Sequence, residues 1–146
     1  MIFSVFANLD KSESLNIAKE IISVLANDNC RLCFSEKYKN LLGGPGCMFG
    51  PESEMYKVCD IAVAVGGDGT TMKVAKNAAV NGKPALGVNG GRLGFLSAVE
   101  RNEISLLEAV LRGEYIEDER IMLKADVIDN NGTVISHNHC LNDAVI

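Results

Sequence analysis

The sequence lacks an excess of positive charge. Its 146 residues include 14 Lys and Arg against 19 Asp and Glu, which gives a formal net charge of −5 at pH 7. Nucleic acids and other polyanions are bound by strongly basic faces, so we expect no nucleic-acid partner. A small anionic ligand stays compatible with this charge, because backbone amides and one or two cations can hold phosphates locally.

Long apolar runs and a basic leader are also missing. No run is long enough to span a bilayer, and the apolar part of MIFSVFANLDKSES is too short for a signal peptide. We therefore expect a soluble, cytoplasmic protein without a membrane partner. The length suits one domain, or one domain and part of another, and 47% apolar residues can build a core.

The cysteines lack the surroundings of a redox or zinc site. Cys30 and Cys33 form a C-x-x-C pair, but neither Trp nor Pro stands beside them and they fall in a predicted strand, RLCFS. A zinc site would need a second ligand pair, whereas Cys47, Cys59 and Cys140 are scattered singly. Reduced thiols in a cytoplasmic protein are the simpler interpretation.

Apolar periodicity alternates between strands and helices over residues 1–118. Strands are predicted in IFSVFANL, RLCFS, DIAVAVGG and PALGVN, and helices in KSESLNIAKEIISVLANDN, TTMKVAKNAAVNG and RNEISLLEAVLRGEY. The first helix is expected to begin at Ser12 and to end within residues 27–29. This order predicts an α/β domain with an open, mostly parallel sheet and flanking helices. Residues 43–51, GGPGCMFGP, are expected to be an irregular loop.

The pattern changes at about residue 119. The remaining sequence has no room for a helix, and Asn131-Gly132 between two alternating runs predicts a hairpin. We expect residues 119–146 to be the first strands of a second, all-β domain, truncated where the chain stops. His137 and His139 would share one strand face and, without a partner at metal-binding spacing, are interpreted as surface residues.

A carboxylate among glycines follows the strand DIAVAVGG. In the run GGDGT, residues 66–70, the next helix is expected to begin near Thr70 and to point its free amides at the turn. That geometry favours phosphate, which the charge of Asp68 opposes. Asp68 therefore needs a task, such as accepting a proton, orienting a hydroxyl or holding a metal ion that bridges phosphates. The alternative is an ordinary turn in which Asp68 caps the helix.

The two common nucleotide-binding motifs are absent. Counted from Gly67, G-x-G-x-x-G fails at Met72, and no G-K-[ST] exists. A second glycine loop, NGGRLGF at residues 89–95, follows PALGVN. Loops that follow strands of a parallel sheet lie at one edge, so these two can be neighbours.

Three side chains near these loops have both a functional and a plain interpretation. Phe95 offers a flat ring to a base or is a core aromatic. Arg92 faces a phosphate or is a solvated surface charge. Lys73 sits early in a helix, where a cation is unfavourable unless an anion lies nearby, or it is a common exposed lysine.

The combination of GGDGT, GVNGGRLGFL and LNDAV, in this order, resembles the NAD kinase family. GGDGT alone also occurs in phosphofructokinases and in diacylglycerol- and sphingosine-type lipid kinases. Those lipid kinases usually carry a G-T-G-N-D-like loop that this sequence lacks. The resemblance covers nearly the whole chain, but the family's later G-S-T-A-Y-type segment is absent. We therefore expect residues 1–146 alone to be inactive or nearly so.

The resemblance implies transfer of the γ-phosphoryl group of ATP, or of polyphosphate, to the 2′-hydroxyl of the adenosine ribose of NAD, giving NADP. It implies that Asp68 is the catalytic proton acceptor. Contacts to NAD or ATP are implied for Gly67, Asp68, Gly69, Lys73, Phe95, Asn142 and Asp143, the last two on ribose hydroxyls. It also implies Mg²⁺ accompanying ATP, no metal site on the protein, and a homo-oligomer at full length.

Two other functions stay open. A lipid kinase catalytic domain would phosphorylate diacylglycerol or a sphingoid base and would not bind NAD. A nucleotide-binding regulatory module would bind its ligand without catalysis. Replacing Asp68 with Asn in the full-length protein separates the enzyme from the module, because only the enzyme needs the carboxylate.

Overall fold

The computed structural model describes residues 1–26, 30–91 and 94–141. Within them the strands are β1 (Ile2–Ala7), β2 (Arg31–Ser35), β3 (Cys47–Gly50), β4 (Ile61–Gly66), β5 (Ala85–Asn89), β6 (Leu123–Ile128) and β7 (Val134–Cys140), and the helices are α1 (Ser12–Leu25), α2 (Glu52–Val58), α3 (Asp68–Val80) and α4 (Leu107–Leu111). The chain divides into two compact units, Met1–Ile116 and Glu117–Ile146. No helix in the described part is long and apolar enough to cross a membrane.

The first unit is built on a parallel sheet of five strands in the order β3-β2-β1-β4-β5. The predicted α/β class is confirmed. Along the sheet the chain order reverses between β1 and β4, which makes their carboxyl ends the topological switch point, where ligands of such sheets bind.

Strand β4 is buried on both faces, as its continuous apolar sequence predicts. Ile61, Val63 and Val65 pack in one core with residues of α1 and α4, whereas Ala62 and Ala64 pack in a second core with residues of α2 and α3. The alternation follows from the two-residue period of a strand. Helices thus cover both faces of the sheet, and the end of β4 is held in a fixed place.

The segment 43–51 is the main correction to the predicted elements. Residues Cys47–Gly50 form β3, which runs parallel to β2 with Cys47 opposite Leu32. Cys47 and Phe49 pack against one core and Met48 against the other, so burial of alternating side chains outweighs the nearby glycines and proline. The irregular part of this segment is residues 43–46 and Pro51, which precedes α2.

Two helix boundaries also differ from the prediction. Helix α3 begins at Asp68, two residues before Thr70, because the Gly67 carbonyl already accepts hydrogen bonds from the amides of Thr70 and Thr71. The predicted last helix is split into a 3₁₀ helix, Arg101–Leu106, and α4. Helix α1 begins at Ser12 as predicted, and the residues expected at its end, 27–29, lie outside the described residues.

The second unit contains the predicted hairpin. Strands β6 and β7 pair antiparallel, with Leu123 opposite Cys140. Gly132 has a φ of +81° in the turn, a conformation that glycine adopts without strain. The exposed side chains of His137 and His139 agree with their interpretation as surface residues. A larger all-β domain that begins at residue 119 stays a prediction.

The buried thiols predict a loss of stability at alkaline pH. Burial raises the pKa of Cys33 and of Cys59 above the ordinary value of 9.0, although the Ser4 hydroxyl opposes the shift. Their stabilising effect is therefore complete below pH 9 and is lost as the pH rises further, because the unfolded chain then releases protons that the folded chain retains. We expect a lower urea midpoint at pH 10 than at pH 8, and a smaller difference in a Cys33→Ala/Cys59→Ala variant. Equal differences in the two proteins would contradict the assignment.

Candidate functional site

The first glycine loop joins β4 to α3. Gly66 has no room for a side chain, because a Cβ there would lie 2.6 Å from Thr70 Oγ1. Gly67 is the N-cap residue of α3, and its carbonyl also accepts a hydrogen bond of 3.3 Å from the Thr71 hydroxyl. The loop is therefore a tight strand-to-helix turn that places the free amides at the start of α3 beside the end of β4.

The second glycine loop lies directly against the first. Asn89, the last residue of β5, is opposite Gly66 in the sheet register, and the Gly90 amide donates a 3.1 Å hydrogen bond to the Gly66 carbonyl. A Cβ on Gly90 would lie 3.0 Å from the Gly66 Cα, so the backbones of the two loops pack directly against each other at this point. The two loops are neighbours, as their places after parallel strands predict.

Asp68 links the two loops through its side chain. Its Oδ2 accepts the Phe95 amide and its Oδ1 accepts the Leu96 amide, both at 3.1 Å and across 27 and 28 residues of sequence. The carboxylate therefore does not cap α3, and that alternative is set aside. A Cβ on Gly94 would collide with the Asp68 carboxylate, which explains a glycine at this point. Each carboxylate oxygen keeps a further lone pair for a ligand.

Asn89 was not singled out by the sequence as a residue of its own. Its side chain is buried, its Oδ1 accepts the Gly91 amide at 3.0 Å, and its Nδ2 donates to Glu100 Oε2 at 2.8 Å. The available signal was an asparagine that ends the apolar run of β5, since a buried amide needs hydrogen-bond partners. Asn89 fixes the beginning of the second loop.

An ion pair borders the same loop. Arg101 Nη1 and Glu13 Oε1, at the start of α1, are 2.8 Å apart. Both side chains are about half exposed, so the pair adds little to stability. A Cβ on Gly91 would lie 3.2 Å from the Glu13 carboxylate, so the loop passes close to this pair.

Open surface surrounds Asp68 on the loop side. A Cβ on Gly67 or on Gly69 would meet no atom of the described residues within 4 Å beyond its own neighbours in the chain, and neither residue has a positive φ. Phe95 is 97% exposed, so the interpretation as a core aromatic is wrong. Lys73 is exposed and lies four residues after Gly69, on the same face of α3.

Three of the residues singled out by the sequence lie outside the described residues: Arg92, Asn142 and Asp143. The structure thus brings together Gly67, Asp68, Gly69 and Phe95, and it places Lys73 on the exposed face of the adjoining helix. In chemical terms this is a carboxylate with spare lone pairs, a flat apolar ring and the positive end of a helix. Such a set can bind a planar base, a hydroxyl and a phosphate.

In the ranges that the structure describes, no three His, Cys, Asp or Glu side chains come together to hold a metal ion. A cavity of about 580 Å³ lies at the amino ends of β2 and β3, lined by Cys30, Arg31, Gly46 and Cys47 among others. The glycine loops follow the carboxyl ends of strands, so this cavity belongs to the opposite edge of the sheet.

The fold and the paired glycine loops define an α/β protein with a candidate ligand site at the carboxyl edge of its sheet. Residues 50–115, which include both loops, match the family model described as the ATP-NAD kinase N-terminal domain. The chain is 36% identical over 140 residues to an NAD kinase of Desulforamulus reducens, covering 95% of this chain and 48% of that protein. It is 34% identical over 144 residues to an NAD kinase of Thermoanaerobacter sp. strain X514, covering 97% and 50%.

A solved structure has the same fold. The crystal structure of yeast NADH kinase complexed with NADH aligns with 97% of this chain and 47% of its own, with a TM-score of 0.79 and 18% identity. Over 95–97% of its length the chain is similar to these NAD kinases, and residues 50–115 match that family's amino-terminal domain. It spans about half the length of the curated relatives that it matches.

Proposed function

We propose that the protein is an NAD kinase, which transfers the γ-phosphoryl group of ATP, or a phosphoryl group of polyphosphate, to the 2′-hydroxyl of the adenosine ribose of NAD. The observation that carries the proposal is the Asp68 carboxylate. It is held by two amides of the neighbouring loop, beside an exposed aromatic ring and the start of a helix. Similarity to the NAD kinase family supports the same reaction.

Asp68 would orient the acceptor hydroxyl. Its amide hydrogen bonds fix the carboxylate and leave a lone pair on each oxygen, which can accept the ribose O–H. A carboxylate is a weak base for an alcohol, so it takes the proton late, as the new O–P bond forms. The main contribution of Asp68 is therefore to aim the hydroxyl at the phosphorus atom.

The adjoining residues would bind the rest of the substrates. Phe95, with its ring exposed, can stack on a base of NAD. Gly67 and Gly69 leave the backbone open to a ligand, because no atom of the described residues occupies the space that a side chain would fill. Lys73 can approach a phosphate from the same helix face as Gly69. Asn142 and Asp143 are proposed to contact ribose hydroxyls.

Magnesium would enter with ATP as part of the substrate. The part of the chain that the structure describes has no cluster of three possible metal ligands. Mg²⁺ commonly binds substrate phosphates and water with few protein ligands, which fits this arrangement. The ion supplies charge neutralisation on the transferred phosphoryl group. A homo-oligomer at full length is part of the proposal.

The test is an assay of the complete gene product with NAD and either ATP or polyphosphate. We expect NADP to form, detected with a reductase that accepts NADP and not NAD, so that phosphorylation at the 2′ position is read directly. Diacylglycerol and a sphingoid base serve as competing acceptors. Phosphorylated lipid without NADP would identify a lipid kinase, and NAD binding without any product would identify a regulatory module.

Adding a methyl group to Gly69 should weaken NAD binding without destabilising the fold. Alanine favours a helix by about 1 kcal/mol over glycine, so Gly69→Ala should unfold at the same urea concentration or a higher one. We expect the KM for NAD to rise by about tenfold, because a loss of about 1.4 kcal/mol in binding is a factor of ten. Gly43→Ala is the matched control, since its Cβ also meets open space. An unchanged KM for NAD in Gly69→Ala would contradict the assigned contact.

A further inference from the structure

A short series of hydrogen bonds holds the beginning of the second glycine loop. Asn89 Oδ1 accepts the Gly91 amide, Asn89 Nδ2 donates to Glu100, and the Glu100 amide in turn donates to Glu103 Oε2 at 3.4 Å. The Asn89 side chain is only 2% exposed. Its amide group is therefore held in one orientation, because either partner would be left unpaired if the group rotated.

The two ends of the loop are held by different side chains. Asn89 binds the Gly91 amide at the first end, and Asp68 binds the amides of Phe95 and Leu96 at the other. The main chain of Asn89 is also tied, since its amide donates to the Val99 carbonyl at 2.9 Å. The exposed Phe95 ring thus has a backbone fixed from both sides, although its side chain touches little of the protein.

We propose that Asn89 and Glu100 are positioning residues, which set the second glycine loop so that Phe95 meets NAD. This inference rests on the proposed function for its substrate. Asn89 is buried beneath the loop and Glu100 is its acceptor, so both act through the backbone of Gly91 and neither needs to touch the ligand. Their effect should therefore fall on NAD binding.

An exchange of donor and acceptor tests the pair. Asn89→Asp places two carboxylates at hydrogen-bond distance and should raise the KM for NAD by about tenfold, while the KM for ATP changes less than about twofold. Glu100→Gln keeps an acceptor oxygen for Asn89 and should leave both KM values nearly unchanged. The double variant restores a hydrogen bond of reversed direction, because the amide introduced at position 100 donates to the carboxylate introduced at position 89. Its KM for NAD should return to within about threefold of the original.

A readout that needs no NAD separates this inference from the proposed function. In the 146-residue chain, amide hydrogen exchange measured by NMR should be faster at Gly91 in the Asn89→Asp variant and should slow again in the double variant. Unchanged exchange at Gly91 in Asn89→Asp would overturn the positioning role. Equal increases of the KM for NAD and for ATP would also overturn it. Absence of NADP formation by the unaltered gene product would instead overturn the proposed function.

The reciprocal design stays informative if Asn89→Asp does not fold. The double variant should fold, because it supplies the missing donor, and its exchange and KM values then carry the test. Glu100→Ala gives a second single variant, in which Asn89 Nδ2 loses its acceptor and the amide of Gly91 should exchange faster. Slow Gly91 exchange in Glu100→Ala would show that Asn89 needs no partner and would overturn the assignment to Glu100.

Discussion

Asp68→Asn is expected to reduce kcat for NADP formation by about a thousandfold in the complete gene product, within the range that a positioned proton acceptor supplies. The amide of Asn donates where the carboxylate accepts. One of the two bonds to Phe95 and Leu96 is therefore lost along with the negative charge. The KM for NAD should change much less than kcat, because the ring and the open glycines remain.

The same substitution should also destabilise the chain. A hydrogen bond to a charged group contributes about 1.5–3 kcal/mol, so urea unfolding should show a loss of this order in Asp68→Asn. Asp60→Asn is the matched control. Asp60 Oδ2 accepts the Ile2 amide at 2.7 Å, at the other edge of the sheet. Asp60→Asn keeps an acceptor oxygen for that amide and removes only the charge, so it should weaken this bond and leave kcat unchanged. Undiminished NADP formation in Asp68→Asn would refute the assigned role.

Gly94→Ala is expected to lower kcat by about a hundredfold, although it removes no carboxylate. The added methyl group occupies the position of the Asp68 carboxylate, so the side chain and the loop must separate. Overpacking of this kind costs about 1–3 kcal/mol, which urea unfolding can measure. The expected loss of kcat corresponds to about 2.7 kcal/mol of transition-state stabilisation, since about 1.36 kcal/mol is tenfold in rate.

The control for this second substitution is Gly50→Ala in β3. In the part of the chain that the structure describes, its Cβ would meet no atom within 4 Å beyond its chain neighbours, and the residue lies at an ordinary strand position. We expect its kcat and its urea midpoint to match those of the unaltered protein. If Gly94→Ala behaved like Gly50→Ala in both measurements, the contact between Asp68 and the second loop would not matter for catalysis.

The sequence predicted the parts of the site that depend on local pattern. The continuous apolar run of β4 indicated a strand covered on both faces, and the order of strands and helices placed both glycine loops at one edge. The same local rules failed at β3, where glycine and proline density concealed four residues of strand. That strand forms because its half-buried side chains pack against both cores, which is a property of the folded sheet.

The contacts that define the site could not be predicted from the sequence. Asp68 binds amides 27 and 28 residues away, and no periodicity reports such a pairing. The burial of Asn89 is a property of the folded chain, which its place at the end of an apolar run does not report. For Phe95 the sequence allowed two interpretations, a core aromatic or a ring that contacts a ligand. Only its exposure in the structure excludes the core.

The paired amide contacts of Asp68 bear on which hydroxyl of a sugar reacts. The consecutive amides of Phe95 and Leu96 donate to the two oxygens, so the carboxylate cannot rotate about its Cβ–Cγ bond without breaking a hydrogen bond. Its spare lone pairs therefore point in set directions. In the proposed reaction the 2′- and 3′-hydroxyls of ribose are neighbours of nearly equal reactivity, and a freely rotating acid would serve both. A carboxylate of fixed orientation accepts a hydrogen bond from only one direction, so it can select one of the two hydroxyls. The backbone of the neighbouring loop thereby sets which position is phosphorylated.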